Sequence, residues 1–215
     1  MSFLDYVVEN SERILFLLLQ HVQVVLLAVA IATVISVAVA IGTEASQRFR
    51  SATLSVTATI LTIPSFALFG LMIPIFGLGV MPTVLALTMY AIFPILRNTV
   101  TGLETVDANV VDAARGMGMG AAERLRRVSL PLAWPVILNG IRVATIMVVA
   151  IAAIGAAVRG PGLGELIFRG LSRMGGANAL NEALSGVVAI VIVAAVLDLV
   201  FLITGKLTTP RGLHA

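Results

Sequence analysis

Residues 51–96, SATLSVTATILTIPSFALFGLMIPIFGLGVMPTVLALTMYAIFPIL, contain no Asp, Glu, Lys or Arg. A helix needs about 20 apolar residues to cross the hydrocarbon layer, so this stretch is long enough for two crossings. Between them, PIFGLGVMP places Pro74, Gly77, Gly79 and Pro82 where a tight turn is needed. Working outward, residues 14–43, 143–158 and 183–197 are equally free of charge. The pattern predicts an all-α polytopic membrane protein with five spans, at roughly 20–42, 52–73, 80–96, 136–158 and 184–205.

Composition agrees. Of 215 residues, 59% are hydrophobic and only 12% charged, with a mean hydropathy of +1.07. A soluble domain of this size needs far more polar surface to cover its core. The chain has no cysteine, which excludes disulfides and thiolate metal sites. A pI near 10.2 reflects basic residues between apolar spans, and points to membrane topology rather than nucleic acid. Asp5, Glu9 and Glu12 stand where a cleavable signal would be basic, so the first apolar run is expected to stay as a span. Residues 1–19 read either as an external amphipathic helix on the membrane surface or as an extension of span one. Residues 20–205 form one domain without repeats, followed by a tail at 206–215.

The basic residues orient the spans. One side collects Arg48, Arg50, Arg97, Arg115, Arg124, Arg126, Arg127, Lys206 and Arg211; the other holds Arg13, Arg159, Arg169 and Arg173. Nine against four predicts that the first side is cytoplasmic. The N-terminus is then expected outside and the C-terminus inside.

Enzyme chemistry finds no foothold. A P-loop needs a lysine after a glycine-rich turn, and Lys206 in ITGKLTTP lacks the upstream glycine spacing. His21 and His214 form no metal-ligand pattern, and no serine sits in a G-x-S-x-G elbow. GMGMG lacks the βαβ unit that a dinucleotide fingerprint requires. No catalytic, cofactor-binding or metal-binding residue is assigned.

One segment is built differently. From Asp107 the chain reads as two short helices joined by Gly116, Gly118 and Gly120. Asp107 is placed to cap the first helix, while Val110, Val111 and Ala114 fall along one face. Glu123 lies at i+3 and i+4 from Arg126 and Arg127 on the second helix. LPLAWP is expected to end that helix, because Pro131 and Pro135 cannot continue a helix interior. Ala113 and Ala114 either let another surface approach closely or simply favour helix.

DAARGMGMGAAERLRRVSLPLAWP resembles the cytoplasmic signature loop of ABC importer permeases. That pattern runs Glu-Ala-Ala, three residues, Gly, then about nine residues to an apolar-Leu-Pro. Asp112, Ala113, Ala114, Gly118 and Pro131 occupy the matching positions, with Gly116 between them and Asp in place of Glu. TIPSFALFGLMIPIFGLG, YAIFPILRNTVTGL, GIRVA and GPGLGELIFRG are similar to the branch that imports glycine betaine, choline, carnitine or proline betaine, and together span about residues 55–170. Arg159 and Pro161 stand where those relatives usually show small residues.

The resemblance implies a type I importer fold in a bacterial inner membrane. It further implies a loop that docks on ABC ATPase subunits, which would hold ATP and Mg. A second permease subunit, identical or a sibling, and an extracytoplasmic solute-binding protein would complete the assembly. The outer segment GPGLGELIFRGLSRMGGAN is the expected receptor face, through Arg159, Glu165, Arg169 and Arg173.

Two further groups of residues follow from the spans. Arg142 and Asp198 sit inside spans four and five, each roughly 10 Å beneath the cytoplasmic face at 1.5 Å per residue. They either pair or snorkel separately to an aqueous surface. Pro64 is expected to kink span two and free a carbonyl; with Thr62 and Ser65 it marks a polar spot in the translocation path. Phe66, Phe69, Tyr90 and Phe93 offer faces to a quaternary ammonium group. The same importer class with methionine, another amino acid or a sulfonate as cargo is the first alternative. A motor-independent channel or scaffold is the second.

Overall fold

The computed structural model describes residues 1–209; Arg211, His214 and most of the expected tail lie outside the described residues. The helices are α1 (Phe3–Glu9), α2 (Ser11–Gly42), α3 (Gln47–Thr62), α4 (Ser65–Phe76), α5 (Val80–Glu104), α6 (Ala108–Gly116), α7 (Ala121–Arg124), α8 (Leu130–Ala152), α9 (Gly164–Ser172) and α10 (Ala179–Thr208). A π-helical turn, Leu125–Ser129, joins α7 to α8, and a 3-10 turn, Ala153–Val158, follows α8. No strand occurs among the described residues.

By length and composition, α2, α5, the run Ala121–Val158 and α10 can each cross a membrane, and α3 with α4, if counted as one bent span, brings the number to the expected five. Span two is expected over 52–73 with a kink at Pro64, and the structure shows more than a kink. The chain instead breaks at Ile63–Pro64, and α3 and α4 meet at 98°. Pro64 has no N–H to give and holds the preceding residue extended; Ile63 has ψ 125 and closes α3. Span one begins earlier than expected, since α2 runs from Ser11 without interruption, and α5 continues past Arg97 to Glu104.

LPLAWP also behaves differently from expectation. Pro131 lies in the first turn of α8 and Pro135 inside it, and the helix carries on. Pro131 cannot donate, and its ring crowds the carbonyl four residues back. The turn widens instead: Leu130 N–H donates to Leu125 O, five residues away. A single π turn thus absorbs a proline that would otherwise stop the helix.

The core lies where α5 packs between α2 and α8. Ala28 and Ala32 of α2, Ala86 and Ala91 of α5, and Ala144 and Val148 of α8 are almost fully buried. Small residues let helix backbones approach in a membrane, where packing rather than water exclusion drives association. Gly140 shows this at the α5–α8 crossing, because an added Cβ would stand 2.5 Å from Asn98 Cβ. Polar ties run across the same seams. Ser36 Oγ donates to Ile92 O at 3.1 Å, and His21 Nε2 lies 3.1 Å from Val149 O. α10 is the least covered of the long helices.

Candidate functional site

The two-helix segment stands at the end of the bundle that also holds the C-termini of α2, α5 and α10. Asp107 caps α6, its carboxylate accepting from the Asn109 backbone at 2.8 Å and from Asn109 Nδ2 at 3.0 Å. The helix turns Ala114 inward, 1% exposed, and leaves Asp112 and Ala113 on the surface. Only one of the two alanines is therefore presented to a partner. Gly116 ends α6, and Gly118 adopts φ +85, donating its N–H to Arg115 O. Met117, 71% exposed, lies between them. Glu123 and Arg127 pair at 3.0 Å on the next turn, and Pro131 is exposed where α8 begins.

At the broken span, Tyr90 carries the detail that the sequence did not disclose. Its hydroxyl donates to Ile63 O at 2.6 Å, so the carbonyl freed before Pro64 is held by α5. The Tyr90 ring is buried, as is Phe69. Thr62 and Pro64 are exposed and Ser65 half-buried, with Thr62 Oγ1 turned back to Thr59 O at 2.7 Å. Of the four aromatics, Phe66 is open on the surface, and Phe93 lies under the Arg97 guanidinium at 6.0 Å. Tyr90 is thus a pin across the break, and Phe66 presents the free aromatic face.

The opposite end is organised by charges that the sequence reading did not connect. Arg13 on α2 reaches Glu165 of α9 at 2.8 Å and Glu182 of α10 at 3.2 Å, and Arg169 lies 3.3 Å from the same Glu182. Glu182 is buried among them. Burial beside this carboxylate pushes the Tyr6 phenol pKa up. Two of the four residues assigned to the receptor face, Glu165 and Arg169, therefore also tie the fold together, and Glu165 stays exposed. Arg159 and Arg173 remain exposed at the rim of a groove of about 670 Å³. Arg159 is also left-handed, at φ 58, a conformation that glycine reaches more easily.

Between the ends, the structure brings Arg142 and Asp198 together. Arg142 Nε donates to Asp198 Oδ1 at 2.6 Å and Nη2 to Oδ2 at 2.9 Å. This bidentate fork is the strongest geometry available to the two groups, and it ties α8 to α10.

Comparison with known proteins meets this arrangement at the level of the whole chain. The profile of the family described as "Binding-protein-dependent transport system inner membrane component" matches residues 32–211. The chain belongs to this family. The permease is 36% identical to the osmoprotectant import permease protein OsmW of Salmonella typhimurium, over all of both chains. It is 32% identical to the glycine betaine/carnitine/choline transport system permease protein OpuCB of Bacillus subtilis, covering all of this chain and 95% of the relative. It is 33% identical to the choline transport system permease protein OpuBB of the same organism, over 95% and 93% of the two chains.

Solved structures give the fold. The permease superimposes on the inward-facing MetNI methionine ABC transporter with a TM-score of 0.78 at 23% identity, covering 92% of this chain and 96% of the other. An amino acid ABC transporter crystallised with histidines gives 0.72 at 21%, over 98% and 99%. At such identities the likeness establishes a type I importer architecture and leaves cargo aside. The permease is a transport component built on that architecture, with its two-helix segment outside the bundle at one end and a charge lattice at the other.

Proposed function

We propose that the chain is the membrane-spanning subunit of an ATP-driven importer for a quaternary-ammonium osmolyte such as glycine betaine, choline, carnitine or proline betaine. The observation that carries this reading is the end-to-end similarity to permeases named for osmoprotectant, betaine, carnitine and choline transport. The coupling role of Asp112, Ala113, Gly116 and Gly118 is supported by their exposure on α6 and the turn after it. A motor surface lying against α6 would move it, and the π turn before α8 transmits that motion into a span. ATP and Mg belong to the partner ATPase; this chain supplies the handle.

The end carrying α6 and α7 is the cytoplasmic one, with the N-terminus outside. The basic-residue count supports that orientation, and contacts group Arg13, Arg169 and Glu182 at the opposite end. A second permease subunit completes the path, and a solute-binding protein delivers cargo at the rim marked by Arg159 and Arg173. Phe66 beside the Pro64 break offers the aromatic face that a trimethylammonium group favours. Thr62 and Ser65 add polar atoms there.

The test is reconstitution with ATPase and binding protein in liposomes, following labelled glycine betaine, choline, carnitine and methionine. ATP-dependent uptake of one or more quaternary ammonium solutes, with methionine excluded, is expected. Methionine uptake in their place would transfer the chain to the first alternative cargo, and uptake without the ATPase would make it a channel.

A further inference from the structure

A groove of about 350 Å³ opens between α3 and α5, toward their Gln47 and Glu104 ends. Gln47, Ser51 and Ser55 of α3 line it together with Phe93, Arg97 and Thr101 of α5. Pockets for small solutes run from about 300 to 1,000 Å³. Glu104, on the same walls, is paired with Arg50, which also donates to Glu44 O at 2.8 Å. Arg97 is exposed and has no acid within salt-bridge distance among the described residues. Its guanidinium lies over Phe93 instead, 6.0 Å from the ring centroid.

That posture says what surrounds the groove. Arg97 stands seven residues from Glu104, the nearer end of α5, or about 10 Å. Phe93 lies a further turn from that end. The charge thus turns inward along the helix, whereas a guanidinium meeting hydrocarbon would snorkel to the nearer surface. Charges held below the surface face a water-filled cavity or an opposite charge. No described acid meets Arg97, which leaves water. The facing helix is polar as well: Ser51, Ser55, Thr59 and Thr62 are all exposed and, at 3.6 residues per turn, lie within about 80° of one another. This row runs from the groove to the break at Pro64, beside the open face of Phe66.

We infer that this groove is a cargo subsite at the inner end of the path, and that it selects zwitterions. Arg97 takes a carboxylate through its free fork, and a trimethylammonium group replaces the guanidinium on the Phe93 ring. Glycine betaine, carnitine and proline betaine carry both groups. Choline has no carboxylate to draw Arg97 away, and reaches Phe93 only against a like charge. The inference rests on the transport reading above and narrows its cargo.

The chain has no cysteine, so Ser55→Cys puts a single thiol on the groove wall. The full transporter carrying it, in lipid nanodiscs, is treated with a charged water-soluble maleimide. Labelling is expected, and glycine betaine should slow it at a concentration about tenfold lower than choline does. Adding Arg97→Gln, at an exposed position, is expected to erase that advantage with an unchanged unfolding midpoint, and Arg97→Lys to keep part of it. A thiol that never reacts, or a disulfide between two Ser55→Cys chains, would put hydrocarbon or a second subunit over the groove and overturn the subsite. Equal protection by both solutes, or an advantage that survives Arg97→Gln, would overturn the selection. Uptake of glycine betaine by the native transporter without protection of the thiol would sink the subsite alone. Uptake of no quaternary ammonium solute at all would sink the transport reading with it.

Discussion

Two glycine-rich segments of this permease use the residue for opposite purposes. In and just before α9, Gly160, Gly162, Gly164 and Gly170 are packed so closely that an added Cβ would meet another atom at 2.0–2.8 Å. Around α6 and α7, Gly116, Gly118 and Gly120 have nothing within 4 Å of the same position. The segment around α9 is glycine-rich because the fold has no room there. The other is glycine-rich because the chain must turn, or because something outside the chain needs the room. Identical composition thus encodes a clamp in one place and an open handle in the other.

The contrast breaks first at Gly164. A methyl group there would stand 2.0 Å from Ala153 O and 2.7 Å from its carbonyl carbon, both backbone atoms that cannot swing aside. Gly164→Ala should cost about 3 kcal/mol through forced backbone movement, seen as a large fall in the thermal unfolding midpoint in detergent. An unchanged midpoint would mean that the segment around α9 is not a clamp.

Gly118→Ala is expected to cost less, about 1–2 kcal/mol. There the penalty is purely conformational, since φ +85 disfavours any side chain although space is free. Gly118→Asn should recover part of the loss, because Asn tolerates this region better than Ala. Recovery of stability by Asn but none at Gly164 would separate strain from overlap, which is the substance of the comparison.

How far such differences could be read beforehand depends on range. Local signals were readable: Asp107 caps α6, Glu123 pairs with Arg127, and the charge-free runs became the spans. Each of those depends on residues within a few positions of one another or on a long uniform stretch. Proline was read only in part. Pro64 announced a disturbance but not the 98° angle, nor that the carbonyl of Ile63 would be held by the hydroxyl of Tyr90 27 positions along the chain. Pro131 announced a stop, and the chain answered with a π turn that keeps α8 attached to the handle. The charges around Glu182 were least legible. Glu165 and Arg169 look unconnected until Arg13 and Glu182 arrive from 152 and 13 positions away. A buried carboxylate at the head of an apolar helix was the one available hint, since such a group needs a cation beside it.

Ala113 and Ala114 show the same limit on a small scale. They are adjacent and identical in chemistry, yet one is exposed and the other is 1% exposed. Helical rotation of about 100° per residue decides between them, and the face was fixed only when α6 met the bundle.

Gly116→Ala should have the smallest effect on the fold, and a favourable one. Gly116 closes α6 without a left-handed φ and with open space where Cβ would stand. Alanine restricts the unfolded chain more than glycine does, so a gain of about 0.4–1 kcal/mol is expected. Transport should move the other way if a motor surface lies against that turn, because the new methyl group stands between them. A raised unfolding midpoint together with reduced ATP-driven uptake would show that the space at Gly116 is kept for another protein. A raised midpoint with full uptake would show that the same space is merely solvent, and the handle would have to be sought on Asp112 and Ala113 alone.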